Sequence, residues 1–385
     1  MNSTDIKVLV ITKAYPDLSR NYFGGSFVAD QVKYLSRMVG QVDVLCNQSV
    51  LPPKKFFRKV LINNLTVNYN YYFPGYLFHR YKGDWIEHLT NIYYKSAKKI
   101  IENNNKKYDI IHAHFSHPCG SAAVKLGKEF GLPVVTTIHE DHEWLMQLID
   151  ENNPSFTSAW TNSDVLIRVN KLDRELLRKF NANTEYIPNG YDPENYYPIK
   201  SIIREKNRIF AMGMLDERKG YQDLIKSLYI IKKDFPDIKC IIAGKDVGYG
   251  KTLRELIDSL GLNNIVTLLG PISVEEARKE MNRCNIFCHP SKSESFGIVQ
   301  IEAMACGTPV VATFNGGSEL IIENDCGLLS HRLELPSTIK EALIKNWNHE
   351  RIIDEVSRFN INNIVKMTIQ KYMEAIEKVT DNDNI

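Results

Sequence analysis

Two glutamates set the chemical question. Glu294 and Glu302 stand on either side of Gly297, with seven residues between them, in the stretch Ser293 to Val311, "SESFGIVQIEAMACGTPVV". An ionised carboxylate accepts two hydroxyl protons at once, which suits a sugar diol. The run "IVQIEAMAC" reads as a helix stopped by Gly307 and followed by Pro309. Gly297, just before it, permits a close backbone approach. The free amides and partial positive charge at the start of that helix favour a phosphate group. Glu302, about a turn and a half into the helix, and Glu294, in the loop before it, are then placed to grip one diol each. A sugar on each side of a phosphate is a nucleotide sugar. Either acid alone is ordinary; the shared placement around the glycine carries the reading.

Other clusters carry less. "GKDVGYGKT", Gly244 to Thr252, imitates a phosphate-binding P-loop, but that motif needs glycine five residues before Gly250, where Lys245 stands. "HEDHE", His139 to Glu143, imitates a helical zinc-protease signature, yet Glu143 occupies the position of the second histidine. In "HAHFSH", His112 and His114 share one face of a strand, which suits one packed and one cleft-lining side chain better than a metal site. Cys284 and Cys288 have no second pair. No metal ligand set is assigned: Asp381 and Asp383, the one Asp-x-Asp near a terminus, lie in a polar tail.

The elements that must position the two glutamates follow from short β-branched runs alternating with helical patterns, the mark of βαβ units and parallel sheets. Strands are expected at Ile6 to Thr12, Gln41 to Cys46, Tyr108 to Phe115, Pro133 to His139 and Asp164 to Asn170. "YIPNGYDPENYYP", Tyr186 to Pro198, breaks the pattern with three prolines and a glycine. It restarts with "RIFAMG", "IKCIIAG", "NIVTLLG", "NIFCHP" and "PVVAT". The fold class is therefore α/β, with two Rossmann-like doubly wound domains joined by a hinge. Such sheets bind ligands beyond the carboxyl ends of their strands, so two of them facing each other would enclose one central cleft.

The whole chain fits this frame. At 385 residues it exceeds what one core usually serves, and 43% apolar with 24% charged residues is a globular composition. A net charge of +2 gives no sign of a nucleic-acid partner. No signal-like or membrane-spanning run appears, and seven cysteines, mostly in apolar runs, suit reduced thiols, so the expected location is cytoplasmic. One imbalance stands out. Between Leu51 and Lys107, eleven Lys and Arg face three carboxylates, with aromatics interleaved as in "KKFFRKVLI". A solvated face with a partly buried strand accounts for it; the sharper alternative is a surface for anionic lipid at the inner face of a membrane.

The Glu294 and Glu302 spacing, followed by "EAMACGTPVVAT" and "NGGSELI", resembles the donor-site signature of the retaining GT-B glycosyltransferases of family 4. The likeness extends over nearly the whole chain. "FGGSFVADQVKYLSRM" resembles that family's glycine loop and first helix, and "YDIIHAH" and "PVVTTIHED" its next strand ends. "IPNGYD" resembles the interdomain turn, "GMLDERKGYQDLIKSL" the phosphate-binding segment, and "FNINNIVKMTIQKYMEAI" the terminal helix that returns to the N-terminal domain. The resemblance implies an acceptor-binding domain over 1–188 with a helix at 364–380 packed back on it, and a donor-binding domain over 189–363.

It further implies that Glu302 binds the ribose, Glu294 the transferred sugar, and the amides of Gly297 and Ile298 the diphosphate. Lys219 would neutralise the leaving group, His139 would lie near the transferred sugar, and Gly24 and Gly25 would close over the diphosphate. Glu319 matches a donor-domain position of less defined role. One departure is visible: after the glycine matching Gly213 the family often has arginine, and this chain has Met214; Arg218 either supplies the missing guanidinium or points to solvent. With both glutamates engaged in hydroxyl recognition, the paired-carboxylate chemistry of glycosidases has no candidates here. The implied reaction is metal-independent front-face transfer, without a cofactor, from a UDP- or GDP-sugar to a glycan or lipid-linked oligosaccharide, with possible peripheral membrane contact. A nucleotide-sugar epimerase and a non-catalytic nucleotide-sugar or glycan binder are the rivals.

Overall fold

Alternation of short β-branched runs and amphipathic helices builds two separate sheets. The computed structural model describes residues 2–16, 25–49, 58–72, 82–103, 108–323 and 325–382. The chain divides into one unit made of Met1–Pro188 with Ile361–Ile385, and a second made of Asn189–Asn360.

In the first unit the described strands are β1 (Lys7–Thr12), β2 (Gln41–Ser49), β3 (Arg58–Ile62), β4 (Leu65–Tyr72), β5 (Ile110–His114), β6 (Val134–Ile138), β7 (Val165–Arg168) and β8 (Thr184–Tyr186). They lie in the order β3-β4-β2-β1-β5-β6-β7-β8, all parallel except the antiparallel edge pair β3 and β4. Along β1 the side chains alternate between two cores. Val8 and Val10 join Val42, Val44 and Val67 against the helix Ser26–Leu35 and the terminal helix Ile361–Asn382. Leu9 and Ile11 join Leu45 and Ile111 against the helices Lys82–Asn103 and Ser121–Phe130. The terminal helix contributes Ile361, Ile364, Val365, Ile369 and Tyr372, a stripe at helical spacing. Each such side chain, fully buried, stabilises the unit by about 1.5–3 kcal/mol. Its first residue, Ile361, already belongs to this core.

The second unit holds β9 (Arg208–Met212), β10 (Lys239–Ala243), β11 (Val266–Gly270), β12 (Ile286–His289), β13 (Val310–Thr313) and β14 (Gly327–Ser330). Their order, β11-β10-β9-β12-β13-β14, is wholly parallel. The order reverses between β9 and β12. Loops leaving the carboxyl ends of these two strands diverge there, which opens the crevice in which doubly wound sheets hold ligands. In the first unit the equivalent reversal lies between β1 and β5.

The ten strands expected from the sequence are present, with ends within three residues of expectation. The edge pair β3 and β4 covers part of the basic stretch; Lys54, Lys55, Arg80, Lys106 and Lys107 lie outside the described residues. All seven cysteines are buried, with no disulfide between them. Among the described residues no helix is long and apolar enough to cross a membrane.

Candidate active site

Three loops of the second unit converge at the strand-order reversal. After β9, Gly213 leads into a turn at Glu217–Lys219 that the Asp216 carboxylate caps by accepting from the Arg218 amide at 2.8 Å. After β12, the loop backbone is tied to that turn: the Lys292 amide donates to the Arg218 carbonyl at 2.8 Å. After β13, the Glu294 amide donates to the Asn315 carbonyl at 2.9 Å. The Glu319 carboxylate holds this third loop by accepting from the Gly316 amide at 2.9 Å. Glu319 therefore acts on backbone here, shaping the loop whose Asn315 carbonyl receives the Glu294 amide.

At the junction the Lys219 ammonium sits 2.5 Å from Glu294 Oε1, with the two side chains 15% and 10% exposed. His289, the last residue of β12, brings Nε2 to 3.1 Å from the same oxygen, close but off the line of a hydrogen bond. Burial alone would raise the Glu294 carboxyl; the Lys219 charge, then His289, more than offset it and hold it well below the usual carboxylate range. Glu294 is thus an anion at neutral pH, locked in one place. Gly297 caps the following helix, Ile298–Ala305, at φ +94°, where a Cβ would lie 2.2 Å from Gln300 Nε2. That left-handed geometry starts the helix immediately after the loop bearing Glu294. Glu302 lies half-buried on the second turn of the same helix.

Arg218 takes a third course, neither free in solvent nor open for a ligand. Its Nη1 donates to the Ser293 carbonyl at 2.5 Å, so the guanidinium braces the β12 loop next to Glu294. Met214 is 48% exposed and offers no charge in its place.

In the first unit, Gly25 precedes the helix Ser26–Leu35 at φ +81°, and a Cβ there would lie 2.2 Å from the Ala14 carbonyl carbon at the end of β1. Gly24 lies outside the described residues. His139, just past β6, is 8% exposed, with Phe27 and Phe115 ring centroids 4.8 and 5.0 Å away. Its Nε2 lies 3.0 Å from His114 Nδ1, so one ring donates and the other accepts. His112 bonds Tyr372 of the terminal helix through Nδ1 at 2.6 Å and Thr137 through Nε2 at 2.8 Å. The expectation of one packed and one lining histidine gives way: His112 and His114 are each 1% exposed. Hydrogen-bond partners on the neighbouring strand and helix let the sheet accept both rings.

Sequence reasoning missed what holds His139. Glu140, 1% exposed, accepts from the His139 amide at 3.0 Å and the Ser116 amide at 2.9 Å. Arg168, fully buried on β7, donates to the carbonyls of Ile138 at 3.0 Å and Glu140 at 2.7 Å and pairs with Asp173 at 2.5 Å. The "HEDHE" run is thus consumed by structure: His142 bonds Asp173 at 2.6 Å. An arginine inside "VLIRVN" was the available signal, because a guanidinium on a buried strand requires partners. Among the described residues no group of three or more His, Cys, Asp and Glu side chains is placed to hold a metal ion.

Burial holds four imidazoles below the usual value of about 6.5: His112 and His139 well below it, His114 at about 3 and His117 at about 4. Mutual repulsion adds to burial for His112 and His139. The unfolded chain takes up these protons as pH falls through about 6.5 while the folded chain does not. Stability is therefore highest above that value and falls on acidification, by up to about 1.4 kcal/mol per pH unit for each histidine. Urea unfolding between about pH 7.5 and 5 is expected to show a falling midpoint, with a shallower fall in His117→Asn. A midpoint flat across that range contradicts the burial of these rings as neutral groups.

Two doubly wound units, each with its strand-order reversal, and an acid-lysine pair at the reversal of the second define the architecture of GT-B sugar transferases. Residues 24–195 match the model of Glycosyltransferase Family 4, and residues 194–364 match that of Glycosyl transferases group 1. The chain belongs to the GT-B glycosyltransferases of family 4. It is 24% identical to mannosylfructose-phosphate synthase of Agrobacterium fabrum, over 90% of this chain and 83% of that one. Its fold is similar to that of sucrose-phosphate synthase from Thermosynechococcus elongatus, with a TM-score of 0.77, 19% identity and coverage of 96% and 98% of the two chains. It is also similar to Anabaena HepE solved with UDP and glucose, with a TM-score of 0.70, 19% identity and coverage of 95% and 99%.

Proposed function

We propose that this glycosyltransferase moves a hexose, with retention of anomeric configuration, from a UDP- or GDP-sugar to a glycan or lipid-linked glycan, in the building of a surface polysaccharide or glycoconjugate. The Asn189–Asn360 unit holds the donor and the Met1–Pro188 unit the acceptor. The observation that carries this reading is the Lys219–Glu294 pair one short loop before the Gly297-capped helix. It joins an acceptor for sugar hydroxyls, a cation for phosphate and free helix amides within one loop system. Glu302 takes the ribose hydroxyls, the amides of Gly297 and Ile298 meet the diphosphate, and Gly213 leaves room beside Lys219. The family resemblance assigns Gly25 to the diphosphate as well.

In this mechanism the departing phosphate oxygen takes the acceptor hydroxyl's proton while the bond from the anomeric carbon to that oxygen breaks and the bond to the acceptor oxygen forms on the same face. The protein supplies position and charge: Lys219 and the helix amides stabilise the diphosphate as it leaves. Arg218 positions Glu294 by bracing the Ser293 carbonyl. The family resemblance assigns His139 to the neighbourhood of the transferred sugar, and its uncharged ring suits that role, because a cation there would oppose the positive charge developing at the anomeric carbon. With leaving-group charge met by protein groups, the reaction needs neither a divalent ion nor a cofactor. The basic, aromatic stretch from Leu51 to Lys107 supports cytoplasmic-face contact with an anionic membrane and hence a lipid-linked acceptor.

Incubation with a panel of UDP- and GDP-sugars, scoring transfer, hydrolysis and epimerisation separately, tests the reading. Transfer with retained configuration, undiminished by EDTA, is expected. Epimerisation without acceptor identifies the first rival, binding without turnover the second, and loss in EDTA restored by manganese refutes metal independence. UDP bound to Anabaena HepE favours uridine for the first arm of the panel.

A further inference from the structure

The face of the first sheet that carries the helix Lys82–Asn103 has an unexpectedly polar end. Leu45 on β2 packs beneath that helix with Tyr93 and Ala97, as an apolar sheet face should. Beside it the register pairs Leu45 with Asn68 and Asn47 with Asn70, and the antiparallel edge pairs Lys59 with Asn68. Residues paired in this way point to the same side of a sheet. A cavity of about 490 Å³ opens there, lined among others by Lys59, Asn68, Asn70, Lys95, Ser96 and Lys99. That volume is in the range of small-ligand pockets.

Its charge is unbalanced. Among the described residues no carboxylate lines the cavity, and Lys59, Lys95 and Lys99 have no ion-pair partner. Lys98, on the same helix, is by contrast paired with Glu129 and Glu102. Lys95 and Lys99 stand four apart on one helix face, where like charges repel. Exposed lysines of one sign around a concavity concentrate the field that draws an anion. The polar side chains of the floor are tied in place: Asn70 donates to Ser96 Oγ at 2.7 Å and Asn68 to the Val44 carbonyl at 3.2 Å, so the lysines stand over a fixed polar surface.

We infer that this cavity is a binding site for a phosphate group, held by Lys59, Lys95 and Lys99, distinct from the donor site of the second unit. The inference does not depend on the donor reading. The phosphate belongs either to a small phosphorylated molecule or to a phospholipid headgroup.

The test uses the full-length chain with Lys219→Ala, so that the donor position does not bind the probe, and the same chain carrying Lys95→Glu with Lys99→Glu. Lys128→Glu, an exposed charge reversal on the helix Ser121–Phe130, is the control. Calorimetric titration with inorganic phosphate is one arm; sedimentation with phosphatidylglycerol against phosphatidylcholine vesicles is the other. Binding in either arm that weakens about tenfold or more in the double reversal and stays within about twofold in the control supports the inference. Phosphate binding without vesicle binding assigns a small molecule; phosphatidylglycerol binding assigns the headgroup. Lys59→Glu, on the exposed edge strand, must weaken the same arm, which covers misfolding of the double variant. If neither arm responds more to the cavity reversals than to the control, the inference is overturned, and the donor reading stands or falls separately.

Discussion

Glu294→Gln is expected to lower transfer about 10²–10³-fold, the scale on which one preorganised electrostatic group at a reacting centre acts. Glutamine keeps the shape but removes the anion that fixes Lys219 at 2.5 Å and that, in the proposed mechanism, receives the sugar hydroxyls. Removing one partner of a largely buried pair also leaves the other charge uncompensated, at about 3–5 kcal/mol in the limit of full burial. Here both side chains retain some exposure, so the loss of stability is expected at or below the lower end. Lys219→Met combined with Glu294→Gln is expected to recover most of that stability and none of the activity, because the site then lacks both the hydroxyl acceptor and the phosphate cation. Thermal unfolding and initial rates on the parent and the two variants separate the two effects. A single variant with parental turnover removes Glu294 from the reaction.

Glu302→Gln is expected to act on a different part of the donor. A hydrogen bond to a charged group contributes about 1.5–3 kcal/mol, so losing the ribose contact weakens binding of both a nucleoside diphosphate and its sugar by about 10–100-fold. Glu294→Gln weakens the nucleotide sugar and leaves the bare nucleoside diphosphate nearly unchanged, since the sugar is absent there. The contrast is measurable by calorimetry with two ligands and two variants. Equal effects of both substitutions on the bare diphosphate contradict the division of labour between the two acids.

The parts of this molecule that sequence exposes are those where one physical demand dominates. A strand buried on both faces must be a short apolar run, so "KVLVIT", "KCIIA" and "PVVAT" announce themselves. β4 is different: Asn68 and Asn70 alternate with Val67 and Tyr69, and the polar members face a cavity rather than solvent. β8 and β14, of three and four residues, are too short to show a period. At the site, the positions of Glu294, Gly297 and Glu302 follow from one loop and one helix and were legible. Arg218 was not, because its direction depends on the Ser293 carbonyl 75 residues away. The same holds for the Arg168 and Glu140 braces, which exist only once β5, β6 and β7 lie side by side.

The terminal helix also determines the order in which the molecule can be finished. The second unit is a continuous insertion, its two ends fastened where the Tyr191 amide meets the Phe359 carbonyl at 3.0 Å. Every residue it needs precedes Ile361 in the chain. The unit that starts the chain lacks one wall of its core until the helix Ile361–Asn382 joins it, so that core closes only across the whole length of the second unit, and Val8, Val10 and their neighbours stay open to chaperones until then.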